Sequence, residues 1–317
     1  MFDYRKINLQ LFAEMNTQTT LLNTEGNNLS AEMKTFYDMT LIDEASAQLV
    51  HDQFGQKRPI PKNAGKTINF RRFTPLDPAT TALEEGVTPA GSKLNVDEVE
   101  ATLEQYGDFV EITDILDLVG IDPVAAETSE LLGEQAGKTV DMVVRDVVCA
   151  GTNVQYAGGG SSATGTISAA EIKKAARTLK KANAPMIDGS YIGIIDPDIA
   201  YDIQNDPLWQ DISKYSGGTK IMDGEIGKLG GVRFIETTET LVKEGNVHCA
   251  MILGKDAYGI ADIEGSANKP KIIIKPFGSS GTEDPLNQRQ TQGWKSLFTA
   301  VRLNELAMVR LEVKVTE

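Results

Sequence analysis

A Gly-Lys-Thr triplet, two histidines, two cysteines and a trio of aspartates are the residues whose types could do chemistry in this 317-residue chain. Gly65-Lys66-Thr67 matches the last three positions of a phosphate-binding loop. That loop reads G-x-x-x-x-G-K-[ST], and its first glycine permits the turn that aims backbone amides at phosphate. Here Ile60 stands at that first position, and the triplet leads into a strand-like run instead of opening a helix. The pattern predicts a solvated, basic strand start rather than a phosphate site.

Imidazole chemistry has only His51 and His248 to draw on. His51 falls where a predicted helix ends, a position that favours positive charge. His248 lies in an apolar strand run, facing away from Val247, Cys249, Met251 and Leu253. Adjacent strand residues point to opposite faces, so His248 and Cys249 cannot form a local base–nucleophile pair. Both histidines read as structural or surface residues. Cys149 and Cys249 sit in apolar runs and read as small core residues, which suits a reducing compartment. No C-x-x-C or H-E-x-x-H spacing occurs, so no zinc set is expected. Asp196, Asp198 and Asp202 lack the glycine and closing glutamate of a calcium loop. They read as N-capping and first-turn residues of a helix. Gly224, Gly227, Gly230 and Gly231 do not match G-x-G-x-x-G and read as loop glycines. Trp209, Trp294, Tyr106 and Tyr156 are scattered and form no stacking platform. No catalytic residue, cofactor site or metal site is expected.

The strongest signal is a separation of charge. Lys57, Arg58, Lys62, Lys66, Arg71 and Arg72 occur with no carboxylate among them. From Asp77 to Glu111 the sign reverses, through Glu84, Glu85, Asp97, Glu98, Glu100, Glu104 and Asp108, against Lys93 alone. Two β-like runs flank a connection rich in Pro, Thr and Gly. A ribbon of this kind is poorly built to bury itself, and well built to lie across a neighbouring copy, where opposite charges register the contact. Lys66, Arg71, Arg72, Glu84, Glu85, Asp97 and Glu98 are the candidate inter-subunit residues.

Composition narrows the class. Hydrophobic residues are 41% and charged residues 24%, as in soluble globular proteins. The net charge of −14 argues against a general grip on nucleic acid and against an anionic membrane surface. No apolar run approaches the roughly 18 residues a membrane span needs. The first dozen residues lack a continuous apolar stretch and do not read as a secretory signal.

Residues 1 to about 29 read as an arm. Ser30 is a helix N-cap, and Met33, Tyr37, Leu41, Ala45 and Leu49 give a stripe ending near Gly55. Strands are predicted over Thr67–Phe73, Leu94–Leu103 and Phe109–Thr113, with a long loop from Thr74 to about Ser92. The clearest helix runs from Pro123 to about Ala150, with Asp122 as cap and Ala125, Leu132, Ala136, Val140, Val143 and Val147 as its buried stripe. At about 1.5 Å per residue it would be roughly 40 Å long, a strut. Gly133 and Gly137 would let another backbone approach. Gly158 to Ser162 is a flexible link. A mixed region follows: a helix over Ser168–Asn183, strands at Tyr191–Ile195, Val232–Glu236, Val247–Leu253 and Lys271–Lys275, and a short helix opened by Asp196. Two alternating runs close the chain, Leu297 to Leu303 and Met308 to Val315.

This order resembles the Hong Kong 97 fold of tailed-phage major capsid proteins, and more closely the coat-protein family typified by phage N-four. The residues that carry the resemblance run from about Tyr37 to Val315. They include Gly65-Lys66-Thr67 leading to Phe70-Arg71-Arg72, then Glu85-Gly86-Val87-Thr88-Pro89 and Gln105-Tyr106-Gly107-Asp108. Leu131 to Gly137, Ala150 to Ala157 and Gly293-Trp294-Lys295 follow. The resemblance implies an α+β shell subunit: N-terminal arm and helix (1–56), extended E-loop hairpin (57–113), P-domain with long spine helix (114–157), A-domain (158–295), and strands returning to the P-domain sheet (296–317). It implies a non-enzymatic protein that forms pentamers and hexamers of an icosahedral or prolate head. The expected partners are other copies of the chain, a separate scaffold, a portal, and double-stranded DNA enclosed without specific binding. The expected location is the virion, and the host cytoplasm before it. No Lys–Asn cross-link pair is identifiable. The alternatives are a nanocompartment shell of the same fold, and a nucleotide-binding α/β enzyme resting on Gly65-Lys66-Thr67.

Overall fold

The computed structural model describes residues 17–18, 50–83, 85–88, 91–119, 124–209, 227–263, 270–279 and 283–316. The chain divides into two compact units. The first is built from Met1–Gln48, Gln105–Thr139 and Lys269–Ser296; the second from Leu49–Glu104, Val140–Asn268 and Leu297–Glu317.

In the first unit, strand β5 (Glu104–Thr113) and strand β13 (Lys271–Lys275) both lie beside the first half of β14 (Arg289–Arg302). β13 is antiparallel to it, Lys271 opposite Lys295 and Lys275 opposite Thr291. A two-residue strand, β1 (Thr17–Gln18), runs parallel to Glu111–Ile112. Gly293 is required for this packing, because a Cβ there would fall 2.7 Å from the Cβ of Phe109. Helix α1 (Asp114–Val119) follows β5, and the first turns of α2 (Val124–Cys149) supply Leu132 and Ala136 to a small core with Trp294, Tyr106, Val110 and Ile272. Trp294 Nε1 donates to Gln135 Oε1 at 3.0 Å, and Ser129 Oγ to Gln292 Oε1 at 2.9 Å, which ties α2 to β14.

The second unit centres on a seven-stranded sheet ordered β6-β15-β11-β7-β9-β8, with β10 on β11. Its strands are β6 (Val154–Tyr156), β7 (Tyr191–Ile195), β8 (Gly227–Leu229), β9 (Val232–Glu236), β10 (Val242–Lys243), β11 (Val247–Leu253) and β15 (Met308–Lys314). Every residue of β7 is buried, as a continuous apolar run with both faces covered demands. Helix α3 (Ala169–Lys181) is capped by Ser168, whose Oγ accepts from Glu171 N. Its buried side, Ile172, Ala175, Ala176 and Leu179, is the predicted one, and it packs on β15 and β8. Helix α4 (Pro197–Asn205) is capped by Asp196 with Pro197 in its first turn. The far half of β14 pairs with β12 (Tyr258–Asp262), which also holds β2 (Gln56–Lys57). Strands β3 (Thr67–Phe73) and β4 (Val96–Thr102) form a separate hairpin.

The helix α2 contains 26 residues and is about 39 Å long. Its stripe differs from the expected one past Val140. Val144 and Val148 are buried, whereas Val143 and Val147 are only partly so. Valines at both spacings make two nearly equal stripes, and the long-range partners decide between them. Gly133 and Gly137 are buried. The predicted caps Asp122 and Pro123 lie outside the described residues, as does nearly all of the predicted helix from Ser30. That helix does not reach Gly55: residues 50–55 form a bend and turns. The amides of Val50 and His51 donate to the side chain of Asp141. The two closing strands also part company. β14 pairs with β5, β12 and β13, and β15 with β11 and β6, so the two belong to different sheets.

Candidate functional site

The chemistry-bearing residues resolve into structural roles. Lys66 and Thr67 are exposed at the root of β3, and Gly65 has φ of 99°. No helix follows the triplet, so it aims no row of amides at a common point. His51 is buried, and its Nδ1 lies 2.6 Å from Asp141 Oδ2; the helix expected to end at it lies almost wholly outside the described residues. His248 is buried with Nδ1 against Asp196 Oδ2 and Nε2 3.1 Å from Asn246 Oδ1. Both cysteines are buried and free. Burial pushes the Cys149 thiol up to about 12 and that of Cys249 to about 11, so neither is a poised nucleophile.

Asp196, Asp198 and His248 bring ligand-type atoms within 4.8 Å of one another. Sequence reasoning had grouped Asp198 with Asp202, and no local pattern joins His248 to them. The oxygens of Asp196 are already engaged: Oδ1 accepts from Ile199 N at 2.8 Å, and Oδ2 meets His248 and the Thr240 hydroxyl. Asp202 instead accepts from the backbone and hydroxyl of Thr316. The arrangement is that of a capped helix tied to its neighbouring strand.

The hairpin has the more distinctive geometry. β3 and β4 pair antiparallel from Thr67 opposite Thr102 to Phe73 opposite Val96. Its root is anchored in the second unit. Phe70, Ala101 and Leu103 are buried with Ile60 and Ala261, and Ile68, Val99, Val301 and Leu303 pack around them. Leu103 N donates to Lys66 O at 2.9 Å, and the Arg58 guanidinium lies 6.0 Å from the Phe70 ring centre. A two-stranded hairpin is marginal in water by itself, so this buried root holds it.

Beyond the root, every described residue from Arg71 to Glu98 is exposed. Six of them are large and apolar: Phe73, Leu76, Leu83, Val87, Leu94 and Val96. The charge pattern located this ribbon, but these apolar side chains were not singled out from sequence. The signal was available: apolar residues spread along a connection too long and too polar to enter a core.

The candidate contact residues are partly brought together. Arg71 Nε lies 3.3 Å from Glu98 Oε1, and Arg72 Nη2 3.1 Å from Asp97 Oδ2, across the hairpin. The two charge blocks therefore meet each other at the base of the exposed stretch. All four groups are half exposed or more, and each such pair contributes about 0–1 kcal/mol. Lys66 and Glu85 are exposed and lie apart from these pairs; Glu84 lies outside the described residues.

In the first unit, a groove of about 840 Å³ is lined by Phe109, Ile273, Gly293, Lys275, Glu111 and Arg289, among others. Glu111 is buried there, with Oε1 3.0 Å from Arg289 Nη1. Among the described helices, none is long and apolar enough to cross a membrane.

Comparison with known proteins gives a consistent result. Residues 96–311 match the family described as phage capsid protein. No curated protein matches the chain. The capsid of Ralstonia phage GP4 is 11% identical, over 100% of this chain and 99% of its own, with a TM-score of 0.65. The capsid of cyanophage P-SCSP1u is 13% identical, over 97% and 94%, with a TM-score of 0.63. The head of Helicobacter pylori bacteriophage KHP40 is 12% identical, over 99% of both, with a TM-score of 0.63. A virus-like particle from Pyrococcus furiosus aligns more loosely, 11% identical over 87% and 98%, with a TM-score of 0.52. The fold is the mixed helix-and-sheet fold of Hong Kong 97-like capsids.

Proposed function

We propose an assembly role for the exposed hairpin of a chain that belongs to the phage capsid protein family and is a structural subunit of a phage head. The hairpin lies across a second copy, which covers the apolar side chains between Phe73 and Val96. One observation carries this reading. Six large apolar residues stand in water on a ribbon whose root alone is buried. Monomeric soluble proteins rarely leave such a surface uncovered, and extended contact patches between subunits account for it.

Copies of the chain assemble into pentamers and hexamers of an icosahedral or prolate shell. Residues 57–113 act as the E-loop, 114–157 as the P-domain with its spine helix, 158–295 as the A-domain, and 296–317 as the returning strands, behind an arm and helix at 1–56. Lys66, Arg71, Arg72, Glu84, Glu85, Asp97 and Glu98 register the contact. A scaffold and a portal serve as further partners. The DNA is enclosed, not gripped, as the net charge of −14 suits. The work of the chain is structural and non-enzymatic, done in the host cytoplasm before the finished shell.

The same fold could line a nanocompartment, and the family match at residues 96–311 is the reason to prefer a phage head. The test is direct. The purified chain, with its scaffold if required, is passed over a size-exclusion column and imaged in negative stain. Capsomer rings or megadalton shells are expected. A compact monomer that persists under assembly conditions would refute the proposal.

A further inference from the structure

We infer that Asp141 is a positioning residue for assembly: it pins the segment leading into the hairpin and so sets the pose in which the hairpin meets a second copy. The inference rests on the interface reading above. Asp141 sits on α2 between Val140 and Val144, in the buried stripe, and is itself 0% exposed. An apolar residue would continue that stripe at no desolvation cost. A carboxylate there is unfavourable unless its oxygens are satisfied.

Among the described residues, the partners that satisfy it come from two consecutive positions far away in sequence. Oδ1 accepts from Val50 N at 3.0 Å and His51 N at 2.7 Å; Oδ2 lies 2.6 Å from His51 Nδ1. The helix end itself is served by other groups. Arg302 and Arg310 reach the carbonyls of Val147, Cys149 and Gly151. Asp141 is thus spent on the incoming chain.

From that pin the segment is held continuously. The Tyr258 hydroxyl donates to His51 O, and Lys57 Nζ lies 2.5 Å from Asp52 Oδ2. Arg58 N and Ile60 N donate to Ile260 O and Asp262 O at 3.0 and 2.7 Å. Gly55 fits because a Cβ there would fall 2.6 Å from the Tyr258 ring. After Ile60 the chain is exposed through Thr67, and Asn63 and Gly65 have positive φ. This short stretch is the only slack between the pinned segment and β3. With one end fixed, the slack permits small adjustment of the hairpin. With the pin lost, the segment keeps its bonds to Tyr258 and β12 but loses its tie to α2, so its own movement adds to the slack ahead of β3.

The experiment compares the unaltered full chain with Asp141→Asn and His51→Gln. Asparagine keeps an oxygen for the two backbone amides but removes the charge facing His51. Glutamine at 51 leaves both backbone bonds intact and serves if the first variant folds poorly. Hydrogen exchange read by mass spectrometry on unassembled protein should rise about tenfold over residues 50–60 and along β3, with β7, β11 and β15 unchanged. The same variants should give fewer or misshapen shells. A uniform rise across all strands would mean a purely structural role and overturn the proposal. Unchanged exchange would do the same. Local loosening with normal shells would overturn the positioning claim while leaving the head-subunit reading intact. If the unaltered chain forms no shells, the interface reading fails first and this inference falls with it.

Discussion

Phe73 and Val96 face each other across the end of the β3–β4 pairing and are 65% and 43% exposed. Replacing both with serine should cripple assembly while leaving the unassembled fold in place. Fully burying one such side chain is worth about 1.5–3 kcal/mol. Scaled by the exposed fractions, covering the pair contributes about 2–3 kcal/mol per hairpin. Each 1.4 kcal/mol is a factor of about ten, so the threshold concentration for assembly should rise roughly 30- to 150-fold. The folded subunit loses only a cross-strand contact of about 0.2–1 kcal/mol, because neither residue reaches the buried root. A concentration series followed by light scattering, with shells checked by electron microscopy, measures the threshold. A thermal melt of unassembled protein checks the fold. An unchanged threshold would refute the claim that a second copy covers these side chains. A collapsed melting temperature would refute the claim that they stand apart from the core.

Other tests follow from the same geometry. Changing Arg71 and Arg72 to Glu places like charges opposite Glu98 and Asp97, so it weakens the hairpin as well as the interface. Exchanging both sides, with Glu98 and Asp97 made Arg, restores the cross-strand pairs; assembly should remain impaired in scattering assays if a second copy reads the polarity. Phe70→Ala should cost about 3–5 kcal/mol in denaturant unfolding, since Phe70 fills the root cluster with Leu103 and Ala261. Arg310→Met leaves the buried Glu312 with Lys243 alone and should cost about 3 kcal/mol in the same measurement. The thiol pKa of Cys149 is raised in the fold, so it contributes stability below its ordinary value of 9.0 that is lost as pH rises towards about 12. Unfolding curves at pH 8 and pH 10.5 should therefore converge for Cys149→Ala relative to the unaltered chain.

The local elements could be read because their causes are local. β3, β7, β9, β11 and β13 coincide with their expected spans, each a short run that carries β-branched residues. Ser168 and Asp196 cap their helices through bonds to residues three positions on. What escaped depends on distance along the chain. β12 is five residues with a glycine inside, and its partners on β14 and β2 make it a strand. The His51–Asp141 pair spans 90 residues, and nothing near either residue announces it. β14 and β15 alternate alike, yet enter different sheets, because alternation specifies a face and not a neighbour. At the hairpin, composition revealed that charge was divided. It did not reveal that the two halves would face each other at Arg71–Glu98 and Arg72–Asp97.

The last carbonyls of α2 receive one guanidinium from the end of β14 and another from β15. The helix has no basic residue in its own final turn, so the positive charge that faces its last carbonyls, among the described residues, comes from the two strands. Both arginines converge on the same few oxygen atoms, so this helix end is a shared anchor: losing either side chain strips a charge-assisted bond from carbonyls that have no further turn of helix to serve them.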